Sequence, residues 1–469
     1  NSATPCTSYV YVGTATTPGD ATTYTGATTL YGDIYGGSAY GEVDNTEVNL
    51  FKLADTSFGY NVFGGGKGKF VSAGSEENIE AKVNGTATVN MYALTIAGDD
   101  DKAAVYGGCN VNGTATAAIV NLIAGTIGTS GSEADKVFGG GKGHETTTNA
   151  ATVNVGTSAT VGTTNVYSNV YGGSALGAVG TSIVNLNKAT TLAGDVYGGG
   201  MGSGTRVATA ATVTTSATVN QEGITLADTK NIYGGCNENG TAAATVVNLK
   251  GGSVYDVYGG GRGQYTSVTN DVEVNVGTYD STNGLAGNPT VTHDVYGGSA
   301  QGSVNDADQN NTTKTKTTTV HLYAGKVQGS VYGGGLGVKA VAADSEHGIA
   351  AVTGIPAQVY GDVLVDLNNH GGMCYVAGNI FGCNNQHGAP AGTAEVHIYK
   401  TVHLESGVAS NTDPGTGNYE LLAVYVGGNE ASSSGRTKVV IDTCDPSIQT
   451  VYGGGNAADV GSTDVTVKS

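Results

Sequence analysis

A short pattern in which apolar and polar residues alternate recurs along the chain. Its copies read TEVNL, ATVNM, AIVNL, ATVNV, SIVNL, TVVNL and VEVNV, with later variants TTVHL, VLVDL and AEVHI. Alternation with a period of two is typical of a strand that buries one face. The pattern therefore predicts strands whose valines point into a core and whose asparagines point outward.

The valine and the asparagine keep fixed places in these strands. The predicted valine column comprises Val48, Val89, Val120, Val153, Val184, Val247, Val274, Val320, Val365, Val396, Val439 and Val465. The predicted asparagine column comprises Asn49, Asn90, Asn121, Asn154, Asn185, Asn248 and Asn275. A slip of one residue would expose every valine, so the alternation fixes the strand register.

A second pattern, an aliphatic residue followed by an aromatic residue and in most copies a glycine pair, occurs thirteen times at spacings of 25 to 49 residues. The aromatic residues are Tyr35, Phe63, Tyr106, Phe138, Tyr171, Tyr197, Tyr233, Tyr258, Tyr296, Tyr332, Phe381, Tyr425 and Tyr452. Up to Tyr332, loops of the kind GGSAYG or GGCNVNG alternate with loops of the kind GGGKGK, and later loops resemble the first kind. The glycines are expected to supply positive φ at corners and close backbone approach.

Units of this kind cannot bury one apolar face alone, and stacking them creates a continuous core. The sequence therefore predicts an all-β fold, a parallel β-helix or β-solenoid of about thirteen glycine-rich units of two alternating types. Asparagines and aromatic rings in register would stack along the columns. A propeller is the alternative fold, although thirteen units exceed its usual range of about four to eight blades. We predict one continuous repeat domain over residues 31–469 and, over residues 1–30, a strand-like segment that docks between subunits.

Tandem VYGGG-x-G units joined by T-x-V-x-V strands resemble the repeat regions of large bacterial surface proteins and β-helical adhesins, such as autotransporter passenger domains. The resemblance covers roughly residues 31–469. It implies surface display, adhesion or fibre building, and it implies no catalytic residues.

Composition narrows the range of partners. The chain has 20 basic and 39 acidic residues, a formal net charge of −19. Such a surface repels nucleic acid and anionic membranes, and no apolar run approaches the ~18 residues that span a bilayer. Low charge, abundant threonine and a low isoelectric point favour an extracellular or cell-surface location.

Candidate catalytic and metal-binding motifs are weak. DVYGGGRGQY at residues 256–265 lacks the Lys-Ser/Thr of a phosphate loop, and no amphipathic helix follows it. The three arginines, Arg206, Arg262 and Arg436, fall in different units, without the clustered carboxylates of a polysaccharide-degrading enzyme.

The acidic run Asp99 to Asp101 and the pair Cys383 and His387 offer too few ligands for a metal. We therefore predict no catalytic, cofactor-binding or metal site.

Two function classes fit these observations, with an enzyme as a third. The first is a structural subunit or stalk of a fibre that assembles head to tail with copies of itself. The second is an adhesin that binds glycans or a host surface, which an exposed tyrosine strip would favour and a buried tyrosine column would disfavour. A β-helical polysaccharide-degrading enzyme is the second alternative.

Six cysteines bear on the assembly hypothesis. Cys6 and Cys444 lie near opposite ends, and stacked units would separate them far beyond the ~7 Å that a disulfide allows. A bond between them is therefore expected to join different molecules. Cys374 with Cys383 is the expected local pair, Cys6 with Cys109 is the competing assignment, and Cys109 and Cys236 are expected to be free.

Overall fold

Stacked parallel strands account for almost all regular structure in the protein. The computed structural model describes residues 6–15, 24–26, 28–54, 57–98, 103–132, 135–157, 164–187, 191–204, 209–343, 350–402, 412–413, 417–418, 420–442 and 447–468. The chain divides into two compact units, which are Asn1–Lys230 with Cys236–Ala242, and Asn231–Gly235 with Ala243–Ser469. The predicted all-β solenoid is confirmed, whereas a single continuous domain over 31–469 stays a prediction.

In each unit the chain winds through three parallel sheets. We call them the valine sheet, which carries the alternating pattern, the aromatic sheet, which carries the Tyr/Phe positions, and the third sheet. Strands of the aromatic sheet are short, often two residues, because glycine directly follows every aromatic residue of the column except Tyr425. The valine strands reach eleven residues and supply most of the pairing.

The first unit contains nine valine strands, six aromatic strands and four third-sheet strands among its described residues. The valine strands are Thr7–Val12, Glu42–Val43, Asn45–Leu50, Ala81–Met91, Asn112–Leu122, Glu145–Val155, Ala178–Leu186, Ala211–Gln221 and Asn239–Ala242. The aromatic strands are Ile34–Tyr35, Val62–Phe63, Ala104–Tyr106, Lys136–Phe138, Val170–Tyr171 and Val196–Tyr197. The third-sheet strands are Thr95–Ile96, Gly125–Ile127, Thr164–Val166 and Thr191–Leu192.

The second unit repeats this plan with nine, seven and four described strands. Its valine strands are Thr245–Leu249, Tyr265–Val268, Val272–Val276, Ser303–Val304, Thr317–Leu322, Asp362–Leu367, Ala394–Ile398, Ser433–Ile441 and Val460–Val467. Its aromatic strands are Ile232–Tyr233, Val257–Tyr258, Val295–Tyr296, Val331–Tyr332, Ile380–Phe381, Leu421–Tyr425 and Ile448–Tyr452. Its third-sheet strands are Ser253–Val254, Thr290–Val291, Ala324–Val327 and Met373–Val376.

Small antiparallel hairpins and short helices lie between the parallel strands. The hairpins pair Thr14–Ala15 with Tyr24–Thr25, Thr278–Asp280 with Gly284–Ala286, and Thr412–Asp413 with Gly417–Asn418. Two 3₁₀ helices span Asp306–Asp308 and Asn369–Gly371. Within the described residues, no helix has the length and apolar character that a membrane crossing requires.

The valines of the alternating pattern stack in register and form the core. Val120, for example, lies opposite Val89 on one neighbouring strand and opposite Val153 on the other. Eleven of the twelve predicted valines are completely shielded from solvent. Val465 is the exception at 44% exposure, because its strand pairs with Ser433–Ile441 and no further described strand covers it. Val465 still shares the inward face with Val439, its partner in register, so its exposure reflects the uncovered edge of the strand.

Close approach between coils, more than unusual backbone conformation, explains the loop glycines. Gly260 does not have a positive φ, so the expected left-handed corner is absent there. A Cβ at Gly260 would instead lie 3.0 Å from the Cα of Ser299 on the next coil. Gly68 does adopt φ +70°, and a Cβ there would collide with the carbonyl of Asn112. Both glycines are thus required by the stacking of one coil on the next.

Candidate functional site

The asparagine column forms a hydrogen-bonded ladder on the outward face of the first unit. The Nδ2 of each asparagine donates to the Oδ1 of the preceding one, over Asn49, Asn90, Asn121, Asn154, Asn185 and Asn220, at 2.8–3.1 Å. Asn220 is a member that the sequence pattern missed. Its strand ends in ATVNQ, and the apolar residue expected after the asparagine is replaced by Gln221, which is buried and donates to the Ile224 carbonyl at 2.8 Å.

In the second unit, histidine and aspartate replace asparagine at the later positions of the ladder. Asn275 donates to Asn248 at 2.9 Å, and the following rungs in register are His321, Asp366 and His397. His321 Nδ1 lies 2.8 Å from Asp366 Oδ2. Burial opposes protonation of His321, but the Asp366 carboxylate outweighs it and the pKa of His321 is raised.

His397 continues this row with different partners. Its ring stacks on Tyr399 at 3.8 Å between centroids, and its Nε2 lies 3.3 Å from Asp442 Oδ1. The row therefore consists of separate histidine–carboxylate contacts on successive coils. It does not bring three metal-ligating atoms together.

The aromatic column is a continuous ring stack in each unit. Neighbouring centroids are 4.8–5.0 Å apart from Tyr35 to Tyr197 and 4.6–4.9 Å apart from Tyr233 to Tyr452. Most of these rings are buried, and burial raises the pKa of Tyr171 and Tyr332. The stack is therefore unavailable as an open strip for a sugar.

Asparagines from the alternating loops bind the tyrosine hydroxyls. Asn110 of one GGCN loop donates to the hydroxyl of Tyr35 at 2.6 Å, and Asn237 of another donates to Tyr171 at 2.8 Å. In the second unit Asn385 donates to Tyr296 at 2.9 Å. Each donor follows the aromatic residue two positions beyond its acceptor in the column, Tyr106, Tyr233 and Phe381 respectively. These contacts give the alternation of loop types a structural meaning that sequence reasoning missed.

A second polar column was also missed, at the residue two positions before most of the aromatic residues. In the first unit Asp33 Oδ1 accepts the backbone N–H of Asn61 at 3.0 Å, and Asn169 Oδ1 accepts that of Asp195 at 2.8 Å. In the second unit the column reads Asn231, Asp256, Asp294, Ser330 and Asn379, joined by the same type of contact at 2.7–3.1 Å. Recurrent D-V-Y and N-I-Y triplets were the available signal.

Asp256 and Asp294 of this column meet a histidine. His293 Nδ1 lies 2.7 Å from Asp256 Oδ1 and 3.7 Å from Asp294 Oδ2. Burial raises the pKa of Asp256 against the opposing effects of the Asp294 N–H and of His293. Among the described residues, this is the one group of three side chains whose ligand atoms all lie within 4.8 Å of one another.

The cysteines do not form the predicted local disulfide. Cys374 lies on a third-sheet strand and Cys383 follows an aromatic strand, and both are buried free thiols. Their sulfurs point to different carbonyls, those of Tyr375 and Val426. Burial raises the pKa of Cys383 to about 12, so both the geometry and the scarcity of thiolate disfavour a bond.

The remaining cysteines leave the intermolecular disulfide untested. Cys109 and Cys236 are buried free thiols, and burial raises the pKa of each to about 11. The competing bond between Cys6 and Cys109 is therefore not formed. Cys6 is exposed, and its backbone N–H donates to Asp44 at 2.9 Å. Cys444 lies outside the described residues.

Other sequence candidates do not assemble into a site. The acidic run Asp99 to Asp101 and Arg206 lie outside the described residues. Arg436 pairs with Asp464 at 3.1 Å on the surface. His387 lines an open cleft of about 510 Å³ whose other members include Lys339 and Glu430, which form an ion pair at 2.5 Å.

No protein-family model matches the chain, and no match was found among curated proteins or among solved structures. The class of the protein is therefore given by its fold, a glycine-rich parallel β-solenoid with stacked asparagine and aromatic columns.

Proposed function

We propose that the protein is a structural extracellular protein, a subunit or stalk of a surface fibre whose copies assemble head to tail. The observation that carries this proposal is a pair of valine-sheet strands that are each covered on one edge only. Thr7–Val12 has Asn45–Leu50 as its single partner among the described strands, and Val460–Val467 has Ser433–Ile441. Open parallel edges of this kind accept a further strand by backbone hydrogen bonding.

Exposed side chains at these two edges also support head-to-tail assembly. Tyr9 and Tyr11 on the first edge strand are 56% and 61% exposed, and Val465 and Val467 on the last are 44% and 64% exposed. Tyr452, the last ring of the aromatic stack in the second unit, is 44% exposed. A neighbour's coil placed on either edge would continue the valine and aromatic columns. Contact between two different surfaces generates a filament when successive copies do not close into a ring.

Substitution at the edge tests the proposal. A lysine on an edge strand opposes pairing with another chain, so Val467→Lys is expected to lower the sedimentation coefficient of assembled wild-type protein toward that of a single chain. Val71→Lys is the matched control, because Val71 is also exposed, at 52%, but lies on no described strand. Assembly should also strengthen with salt, since every copy carries the net charge of −19.

Three sedimentation results would contradict the fibre proposal. One is a wild-type protein that stays a single chain at all concentrations and salt levels. Another is a polymer that Val467→Lys leaves intact. The third is equal loss of assembly in Val71→Lys and Val467→Lys, which would point to a general charge effect.

A glycan-binding adhesin is the second candidate. The rings of Tyr9 and Tyr11 are stacked at 6.1 Å with planes 12° apart, and both are mostly exposed. Flat exposed aromatic faces suit stacking on a sugar. Tyr11→Ala should abolish binding on a glycan array if this function holds, and an absence of wild-type binding would reject it.

A further inference from the structure

One pair of neighbouring residues in the polar column differs from every other described pair. Elsewhere an aspartate of this column has an amide as its described neighbour, as Asp33 has Asn61 and Asp195 has Asn169. In the second unit Asp256 and Asp294 occupy successive rungs, because Val257 pairs directly with Val295. His293 precedes the second aspartate and turns its ring toward the first.

The ligand atoms of the three side chains lie near the separations that one metal ion requires. Ligands at about 2.0–2.2 Å from a common ion lie at most about 4.4 Å apart. His293 Nδ1 lies 2.7 Å from Asp256 Oδ1 and 3.7 Å from Asp294 Oδ2. One ligand atom from each of the three residues lies within 4.8 Å of those from the other two. A small adjustment of side chains would bring all three to one ion.

The surrounding contacts hold the carboxylates in place. The hydroxyl of Tyr258 donates to Asp256 Oδ2 at 3.3 Å, and that of Tyr296 donates to Asp294 Oδ2 at 3.0 Å. The backbone N–H of Ser330 donates to Asp294 Oδ1 at 2.7 Å. Outer hydrogen bonds of this kind orient metal ligands and tune their affinity.

The negative charge of the two aspartates and the access from solvent also favour binding of a cation. Each aspartate side chain is only 11% exposed, so two like charges are held close together in a poorly solvated place. His293 can offset one of them at most. Its own side chain is 45% exposed and stacks on Tyr255 at 4.7 Å between centroids, which fixes the ring while leaving a path from solvent.

We propose that Asp256, His293 and Asp294 form a binding site for a divalent transition-metal ion of the zinc type. One imidazole nitrogen with two carboxylates suits Zn²⁺, Co²⁺ or Mn²⁺ better than Ca²⁺, which prefers oxygen ligands only. The lone pair of His293 Nδ1 would coordinate the ion, in the tautomer that carries the ring proton on Nε2. Solvent would complete the coordination on the exposed side.

Calorimetric titration of Zn²⁺ into the full chain, after chelator treatment and dialysis, tests this site. We expect one equivalent to bind, and Asp294→Asn and His293→Gln each to weaken binding at least tenfold. Asparagine at position 294 should fold normally, because the same column holds Asn169 and Asn231. Replacement of Zn²⁺ by Co²⁺ should give a visible absorption band that the variants lose.

Two controls separate this site from general binding. Asp195→Asn removes a carboxylate of the same column that follows Gly194, where Asp294 follows His293, and His144→Gln removes an exposed histidine. Both should bind Zn²⁺ as the wild type does. The proposal is overturned by a wild type that binds no Zn²⁺ at micromolar concentrations. It is equally overturned by Asp294→Asn and His293→Gln variants that bind normally, or by control variants that lose binding to the same extent.

Discussion

The adjacent residues Val246 and Val247 allow a sharp test of which side of the valine sheet is the core. Both lie on Thr245–Leu249, with Val247 opposite Val274 and Val246 opposite Glu273. Val247 is fully buried, whereas Val246 lies on the outward face and is only half-buried. Threonine has nearly the shape of valine, so Val247→Thr leaves no cavity and introduces one buried hydroxyl.

The expected cost of Val247→Thr is about 1–3 kcal/mol, the range for burying a hydroxyl in a protein. A buried hydroxyl in this strand needs a carbonyl, as Thr245 illustrates by donating to Gly259 at 2.8 Å. The lower end of the range applies if the new hydroxyl finds such a partner. Val246→Thr faces outward and should change stability by no more than about 0.5 kcal/mol.

Guanidinium unfolding followed by far-ultraviolet circular dichroism measures both variants under identical conditions. The midpoint should fall clearly for Val247→Thr and stay near the wild-type value for Val246→Thr. Equal midpoints for the two variants, or a lower midpoint for Val246→Thr, would refute the assignment of the two faces.

Three further substitutions test other parts of the structure. Asn154→Ala removes one donated and one accepted ladder bond of 2.8 Å each, and should cost about 2 kcal/mol in a denaturant melt at about 1 kcal/mol per bond; an unchanged midpoint would mean that the ladder contributes nothing. Gly68→Ala should lower the melting temperature more than Gly74→Ala, because both have positive φ but only Gly68 lies against a neighbouring coil; equal shifts would count against close packing. Because Asp366 raises the pKa of His321, against the effect of burial, this pair stabilises the protein below the unfolded histidine pKa of about 6.5 and loses that contribution as pH rises through the raised value. His321→Asn should remove this part of the pH dependence, and a variant whose stability follows the wild-type pH profile would contradict it.

The repeating core was predictable because its signal is local. Alternation over five residues identifies a strand, and recurrence of the strand identifies a stack, so the buried positions of Val120 and Val153 follow from the sequence alone. Where the local pattern broke, prediction failed. Gln221 replaced an apolar residue and hid the strand that contains Asn220.

Contacts between distant coils were not predictable in the same way. Asn110 and Tyr35 are 75 residues apart, and Asn385 and Tyr296 are 89 apart. Units of unequal length conceal which residues meet, and the parallel register alone brings Asp256 beside Asp294 across 38 residues. Of the two roles expected for the loop glycines, Gly260 lacks the positive φ and has the close approach to the neighbouring coil.

The most direct test of the fibre proposal is diffraction from aligned assemblies of the purified protein. If copies stack end to end and continue the parallel sheets, the ~4.8 Å spacing between strands should appear along the fibre axis. Electron micrographs of the same sample should contain unbranched filaments one molecule wide. A 4.8 Å reflection perpendicular to the fibre axis, or isolated short rods at every concentration, would contradict head-to-tail assembly.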